Sequence, residues 1–180
     1  MDPEVLTSLT EDVRDLARSA GQAIEDVRAR GAEVESKADG SPVTEADMAS
    51  HRVLVSGLNE CEPRYPVVSE EGEFEDNGSD FPSVHWLVDP LDGTKEFVKG
   101  RPEYTVNVAL VEDGDPVVGV IYISAADVLY YAARDLGAWK VDGSASPERL
   151  DATPREPTFT AAISRSHASQ EIQDLLDRWG

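Results

Sequence analysis

Between Leu58 and Tyr65 the spacing of apolar residues changes, and that change limits what the chain can fold into. Upstream, Val5, Leu9, Val13, Leu16, Ala20, Ile24 and Val27 recur at steps of three and four, the signature of one helical face. The pattern predicts a long amphipathic helix over residues 4–30 that stops at Gly31. A polar loop follows from Glu35 to Pro42, and Thr44 is placed to cap a second helix through Leu58. From Tyr65 onward short β-type runs take over: Pro66–Ser69, Val84–Asp89, Thr105–Val111, Val117–Ser124, Val128–Ala133 and Ala138–Val141. Asp113-Gly114-Asp115-Pro116 reads as a hairpin turn between two of them. Two helices followed by a series of strands predict an α+β fold, with the helices on one face of a largely antiparallel sheet.

The pattern changes again after Trp139. Asp142–Pro157 is a polar, proline-bearing connector, Phe159–Ser164 reads as a strand, and Ser169–Trp179 as a helix. One strand and one helix cannot bury their own faces. The expected organisation is therefore a domain over 1–150 and the beginning of an incomplete second α/β domain over 151–180. Glu71–Pro82, rich in Glu, Asp, Gly and Ser, is expected to be a surface loop.

Charge narrows the function classes. The formal net charge is -20, and lysine occurs only as Lys37, Lys95, Lys99 and Lys140. Such a surface repels nucleic acid and offers it no basic stripe. It suits the high-salt cytoplasm of a halophile, where screening tolerates self-repulsion. The single Cys61 excludes an intramolecular disulfide framework and fits a reducing cytosol. Met1-Asp2-Pro3-Glu4 lacks the basic and apolar regions of a signal peptide. Val117–Ala126, the most apolar stretch, is too short to span a bilayer. The expected location is cytoplasmic, without a membrane span.

The chemistry is concentrated in Trp86-Leu87-Val88-Asp89-Pro90-Leu91-Asp92-Gly93-Thr94-Lys95-Glu96-Phe97. Two carboxylates three residues apart close an apolar run, and Pro90 stiffens the backbone between them. A rigid turn there can aim both side chains, and one intervening carbonyl, into one pocket. Gly93 permits close approach, and the amides after it can face a phosphate at a helix start. Upstream, Ser69-Glu70-Glu71-Gly72 follows Val67-Val68 in the same way. Carboxylates brought together from two strand ends suit a hard cation such as Mg²⁺. Asp89 or Asp92 alone reads more readily as an acidic turn or helix cap; the twelve-residue string does not.

Asp89-Pro90-Leu91-Asp92-Gly93-Thr94 resembles the signature of the inositol monophosphatase superfamily of Mg²⁺-dependent, lithium-sensitive phosphatases. Together with Thr105-Val106-Asn107-Val108-Ala109-Leu110, the run looks most like the CysQ-type branch of 3'(2'),5'-bisphosphate nucleotidases. Lys37 through Asp47, Val68-Ser69-Glu70-Glu71 and Ile163-Ser164-Arg165-Ser166-His167 agree with it. The resemblance implies an inositol monophosphatase/fructose bisphosphatase-like layered α/β sandwich. It further implies removal of the 3'-phosphate from 3'-phosphoadenosine 5'-phosphate (PAP) in sulfur assimilation, with two or three Mg²⁺ ions, inhibition by lithium and a possible homodimer. Glu70, Asp89, Asp92 and the Leu91 carbonyl would hold metal, and Asp47 and Thr94 would form the water-activating pair. Gly93 and Thr94 would hold the scissile phosphate, while Ser166 and His167 would contact the nucleotide. Glu71 is either a ligand or a loop acid, and Lys37 either a ligand near a third metal or a surface lysine. His51 and His85 show no partner pattern and read as structural.

One family feature is missing. The superfamily carries a second Trp-Asp signature, and no such pair follows Thr94; Trp139 precedes Lys140 and Trp179 precedes Gly180. The expectation is a C-terminally truncated chain with reduced turnover. Inositol monophosphatase or fructose bisphosphatase activity, and a non-catalytic metal-binding relative, stay open as alternatives.

Overall fold

The computed structural model describes residues 1–31, 34–36, 42–72, 82–151 and 170–179, and the chain divides into two compact units, Met1–Leu150 and Asp151–Gly180. In the first unit α1 (Pro3–Arg30) starts at Asp2, whose carboxylate accepts the Glu4 N–H at 2.8 Å, with Pro3 in the first turn. An antiparallel pair of short strands, β1 (Val34–Ser36) and β2 (Pro42–Thr44), stands within the stretch that the sequence predicted as a polar loop. α2 (Glu45–Leu58) opens on a capping box. Thr44 Oγ1 accepts the Ala46 N–H at 3.1 Å, and the Asp47 carboxylate accepts the Thr44 N–H at 2.7 Å.

The remaining elements are β3 (Val67–Ser69), β4 (Val84–Asp92), α3 (Thr94–Val98), β5 (Thr105–Glu112), β6 (Asp115–Ile123), β7 (Val128–Ala133), β8 (Gly137–Asp142) and β9 (Glu148–Leu150). They form a seven-stranded sheet in the order β3-β4-β5-β6-β7-β8-β9. Every pairing is antiparallel except β3 with β4, where Val67 lies opposite Trp86 and Ser69 opposite Val88. That one parallel pair brings the C-terminal ends of β3 and β4 to the same edge of the sheet. β9 replaces part of the predicted connector.

Alternation on the strands sets the core. Trp86 and Val88, Val106, Val108 and Leu110, and Val118 and Val120 are buried on one face. Leu9, Val13, Ala20 and Ile24 of α1, with Leu54 and Leu58 of α2, complete it. Close approach of α1 to β6 is possible because Gly21 faces the Tyr122 ring, where an added Cβ would lie 2.4 Å from the ring edge.

In the second unit the described residues contain α4 (Gln170–Trp179), an amphipathic helix. The predicted strand Phe159–Ser164 lies outside the described residues, as does most of the predicted 71–82 loop. Among the described residues no helix is long and apolar enough to cross a membrane.

Candidate active site

Proline explains the shape of the β4 end. Pro90 has no N–H for the ladder, and the register slips there: Asp89 faces Asn107, whereas Asp92 faces Thr105. Residues 89 to 92 on β4 thus span only 107 to 105 on β5, a bulge that bends the strand. Inside the bulge, the Leu91 N–H donates to Asp89 Oδ1 at 3.2 Å. Gly93 follows with φ of 94°, and a Cβ there would lie 2.6 Å from the Glu103 carbonyl oxygen. Glycine alone suits that position. α3 begins immediately after it, its first turn closed by the Glu96 and Phe97 N–H groups on the Gly93 carbonyl at 2.9 and 3.0 Å.

Thr94 and Asp47 meet across 47 residues of sequence. Thr94 Oγ1 lies 3.1 Å from Asp47 Oδ1 and 3.1 Å from the Leu91 carbonyl oxygen. Asp47 is buried to 1% exposure, and its other oxygen accepts from the Thr44 N–H and the Thr44 hydroxyl, the latter at 2.6 Å. One carboxylate therefore caps a helix with one oxygen and orients Thr94 with the other. A hydroxyl has one proton to give, and the charged acceptor is the stronger of its two partners.

The acids gather at the shared edge of β3 and β4. The Glu70 N–H donates to the Val88 carbonyl at 3.0 Å, and the Gly72 N–H to the Ser69 carbonyl at 3.0 Å, so Glu70 rides a tight turn. Burial pushes the Asp89 carboxyl up to about 7, reinforced by the charges of Glu70 and Asp92 and by a hydrogen bond with Glu70. Such clustering of like charge is what a cation relieves. Among the described residues no three His, Cys, Asp or Glu side chains form a ready-made coordination sphere. Glu70, Asp89 and Asp92 form an electrostatic cluster at this edge. The donor set nevertheless fits Mg²⁺, which takes one or two carboxylates, keeps several waters and accepts carbonyl oxygens such as Leu91.

Three further side chains have partners that their sequence context did not reveal. Ser50, fully buried, donates to the Pro90 carbonyl at 2.7 Å. His51 Nδ1 lies 2.8 Å from Ser69 Oγ, and burial holds its imidazole below the usual pKa against the opposing charge of Glu71. Asn107 donates to Asp92 Oδ2 at 3.3 Å from the neighbouring strand. A polar residue between Val106 and Val108 was the available signal for Asn107. Ser166, His167 and Lys37 lie outside the described residues.

Comparison with known proteins bears on the family and the fold. The model of the inositol monophosphatase family matches residues 5–178. The chain is 42% identical over 174 residues to the 3'(2'),5'-bisphosphate nucleotidase CysQ of Escherichia coli K12, covering 96% of this chain and 70% of that protein. The crystal structure of CysQ from Bacteroides thetaiotaomicron superposes with a TM-score of 0.79 at 35% identity, over 96% of this chain and 68% of the other. The Thermotoga maritima IMPase gives a TM-score of 0.63 at 31% identity, over 71% and 49%. A match running from the first helix to the last, around a bulge that carries Asp89 through Thr94, places this chain in the inositol monophosphatase family.

Proposed function

We propose that the chain is a Mg²⁺-dependent phosphomonoesterase that removes the 3'-phosphate of PAP to leave AMP. The observation that carries this reading is the Asp47–Thr94–Leu91 hydrogen-bond chain beside the Glu70, Asp89 and Asp92 carboxylates. A cation binder needs no buried acceptor for a threonine hydroxyl; a hydrolase does. The likeness to the CysQ nucleotidases supports the nucleotide substrate.

Glu70, Asp89, Asp92 and the Leu91 carbonyl are the residues to hold Mg²⁺, two ions in the fullest form of this reading. When bound, the metal supplies a lowered water pKa and neutralises charge on the phosphoryl group and leaving oxygen. Thr94 directs its proton to Asp47 and so turns a lone pair toward a water O–H. That orients the water for attack on phosphorus as the P–O3' bond breaks. The Gly93 and Thr94 amides at the start of α3 face the phosphate oxygens. Lithium is expected to compete for the same oxygen ligands. The single Cys61 and the acid-rich surface support a reducing, high-salt cytoplasm as the setting.

Two measurements test the reading. Calorimetric titration of Mg²⁺ should show clear binding that Asp89→Asn weakens sharply. Phosphate release should favour PAP over inositol 1-phosphate and fructose 1,6-bisphosphate. An isotherm unchanged by Asp89→Asn would remove the metal assignment, and a preference for either sugar phosphate would move the chain to another branch of its family.

A further inference from the structure

Asp47, Ser50 and His51 occupy positions i, i+3 and i+4 of α2, neighbours on one helical face, and each holds a different segment of the site. Asp47 reaches Thr94 at the start of α3, Ser50 reaches Pro90 in the bulge, and His51 reaches Ser69 at the end of β3. We propose that Ser50 and His51 are positioning residues for cation binding: Ser50 sets the direction of the Leu91 carbonyl, and His51 sets the turn that carries Glu70. The inference rests on the metal assignment made above and adds to it the device that aims the ligands.

A serine inside a helix ordinarily turns to solvent or bonds back to the carbonyl four residues earlier. Ser50 instead spends its hydroxyl on Pro90, from a fully buried position. Anchoring the Pro90 carbonyl on α2 fixes the peptide that leads into Leu91, whose own carbonyl oxygen lies 3.1 Å from Thr94 Oγ1. Pro90 has no N–H with which the sheet can hold it, so the anchor comes from the helix. The Glu70 turn is held on its sheet side by the Glu70 N–H on Val88. His51 supplies a second restraint, through Ser69. Groups that orient metal ligands from behind are worth roughly 10–100-fold in metal affinity or activity.

The test is calorimetric titration of Mg²⁺ alone into the chain and its variants, well below their melting temperatures. Ser50→Ala and His51→Phe should each weaken Mg²⁺ binding about tenfold while the helical circular dichroism is retained. Ser50→Thr, which keeps the hydroxyl, and His51→Asn, whose amide falls near the position of Nδ1, should restore it. A purely structural role would shift the melting temperature without this pattern of loss and rescue. If Ser50→Ala does not fold, Ser50→Cys replaces it, since a thiol of similar size is a much weaker donor. Wild-type binding together with unchanged affinity in Ser50→Ala and His51→Phe would overturn the inference and leave the metal assignment standing. Absence of Mg²⁺ binding in the wild type would overturn both.

Discussion

Thr94 and Asp47 do different work although they share a hydrogen bond, and substitution should separate them. Thr94→Ala removes the hydroxyl that orients water but touches no helix cap. Turnover should fall about 10²–10⁴-fold while Mg²⁺ affinity and the melting temperature stay near wild type. Asp47→Asn exchanges one of the two acceptor oxygens for an NH2 donor, so the Thr94 hydroxyl and the capping box, whose side-chain bonds are worth about 1 kcal/mol, compete for the single neutral oxygen that remains. It should lose turnover to a similar extent and also melt lower, which a phosphate-release assay and a thermal melt distinguish. Tyr104 offers a second test, away from the acids. Its hydroxyl donates to Glu25 Oε1 at 2.7 Å and accepts from Arg28 Nη1 at 2.9 Å, and its ring meets Phe97 edge-on at 5.3 Å. Burial, then the Glu25 bond and charge, push its phenol up to about 12. The folded protein then holds a proton that the unfolded chain releases near pH 10, so stability falls as pH rises between roughly 10 and 12. Urea melts across that window should fall more steeply for wild type than for Tyr104→Phe; parallel slopes would show that the bond to Glu25 does not shift the phenol.

The packing of α1 on β6 depends on one missing side chain. An added Cβ at Gly21 would sit 2.4 and 2.6 Å from the Tyr122 ring and 2.9 Å from Ser124 Cβ. Gly21→Val should push the helix off the sheet and cost about 1–3 kcal/mol, read as a lower urea midpoint; an unchanged midpoint would show that Tyr122 moves aside freely. The helices themselves were legible in sequence because their apolar residues kept a regular step over many turns. α1 and α2 were expected at 4–30 and through Leu58 and are found at Pro3–Arg30 and Glu45–Leu58. β7 falls on its predicted limits. What escaped was short or irregular. β1 and β2 have three residues each, too few for alternation to register, and β4 continues through Pro90, a residue that argues against a strand. At the site, Asp89, Asp92 and Thr94 were readable as one contiguous string. Ser50 and His51 were not, because their partners lie 40 and 18 residues away and only the fold brings them close.

Net charge acts on the molecule as a body. Thirty-six acids against sixteen lysines and arginines leave -20, and α1 alone exposes Glu4, Glu11, Asp12, Asp15 and Asp26. The ion pairs that offset this are few among the described residues and mostly exposed, such as Arg30–Glu45 at 3.2 Å and Arg64–Glu62 at 3.0 Å. Exposed pairs contribute about 0–1 kcal/mol each, so salt removes little by weakening them. It removes more by screening repulsion among the many acids, since the Debye length falls from about 10 Å at 0.1 M to about 3 Å at 1 M. The melting temperature at pH 7 should therefore rise between 0.1 and 2 M KCl. Salt also strengthens burial of apolar surface, and pH separates the two causes. Near the isoelectric point of about 4.3 the net charge vanishes and with it the self-repulsion, while apolar burial is unaffected. Melts of dilute protein should show the KCl gain shrinking steadily from pH 7 toward pH 5. A gain that is equal at both pH values would assign the effect to apolar burial, and a midpoint that falls with salt at pH 7 would remove the halophilic reading of this surface.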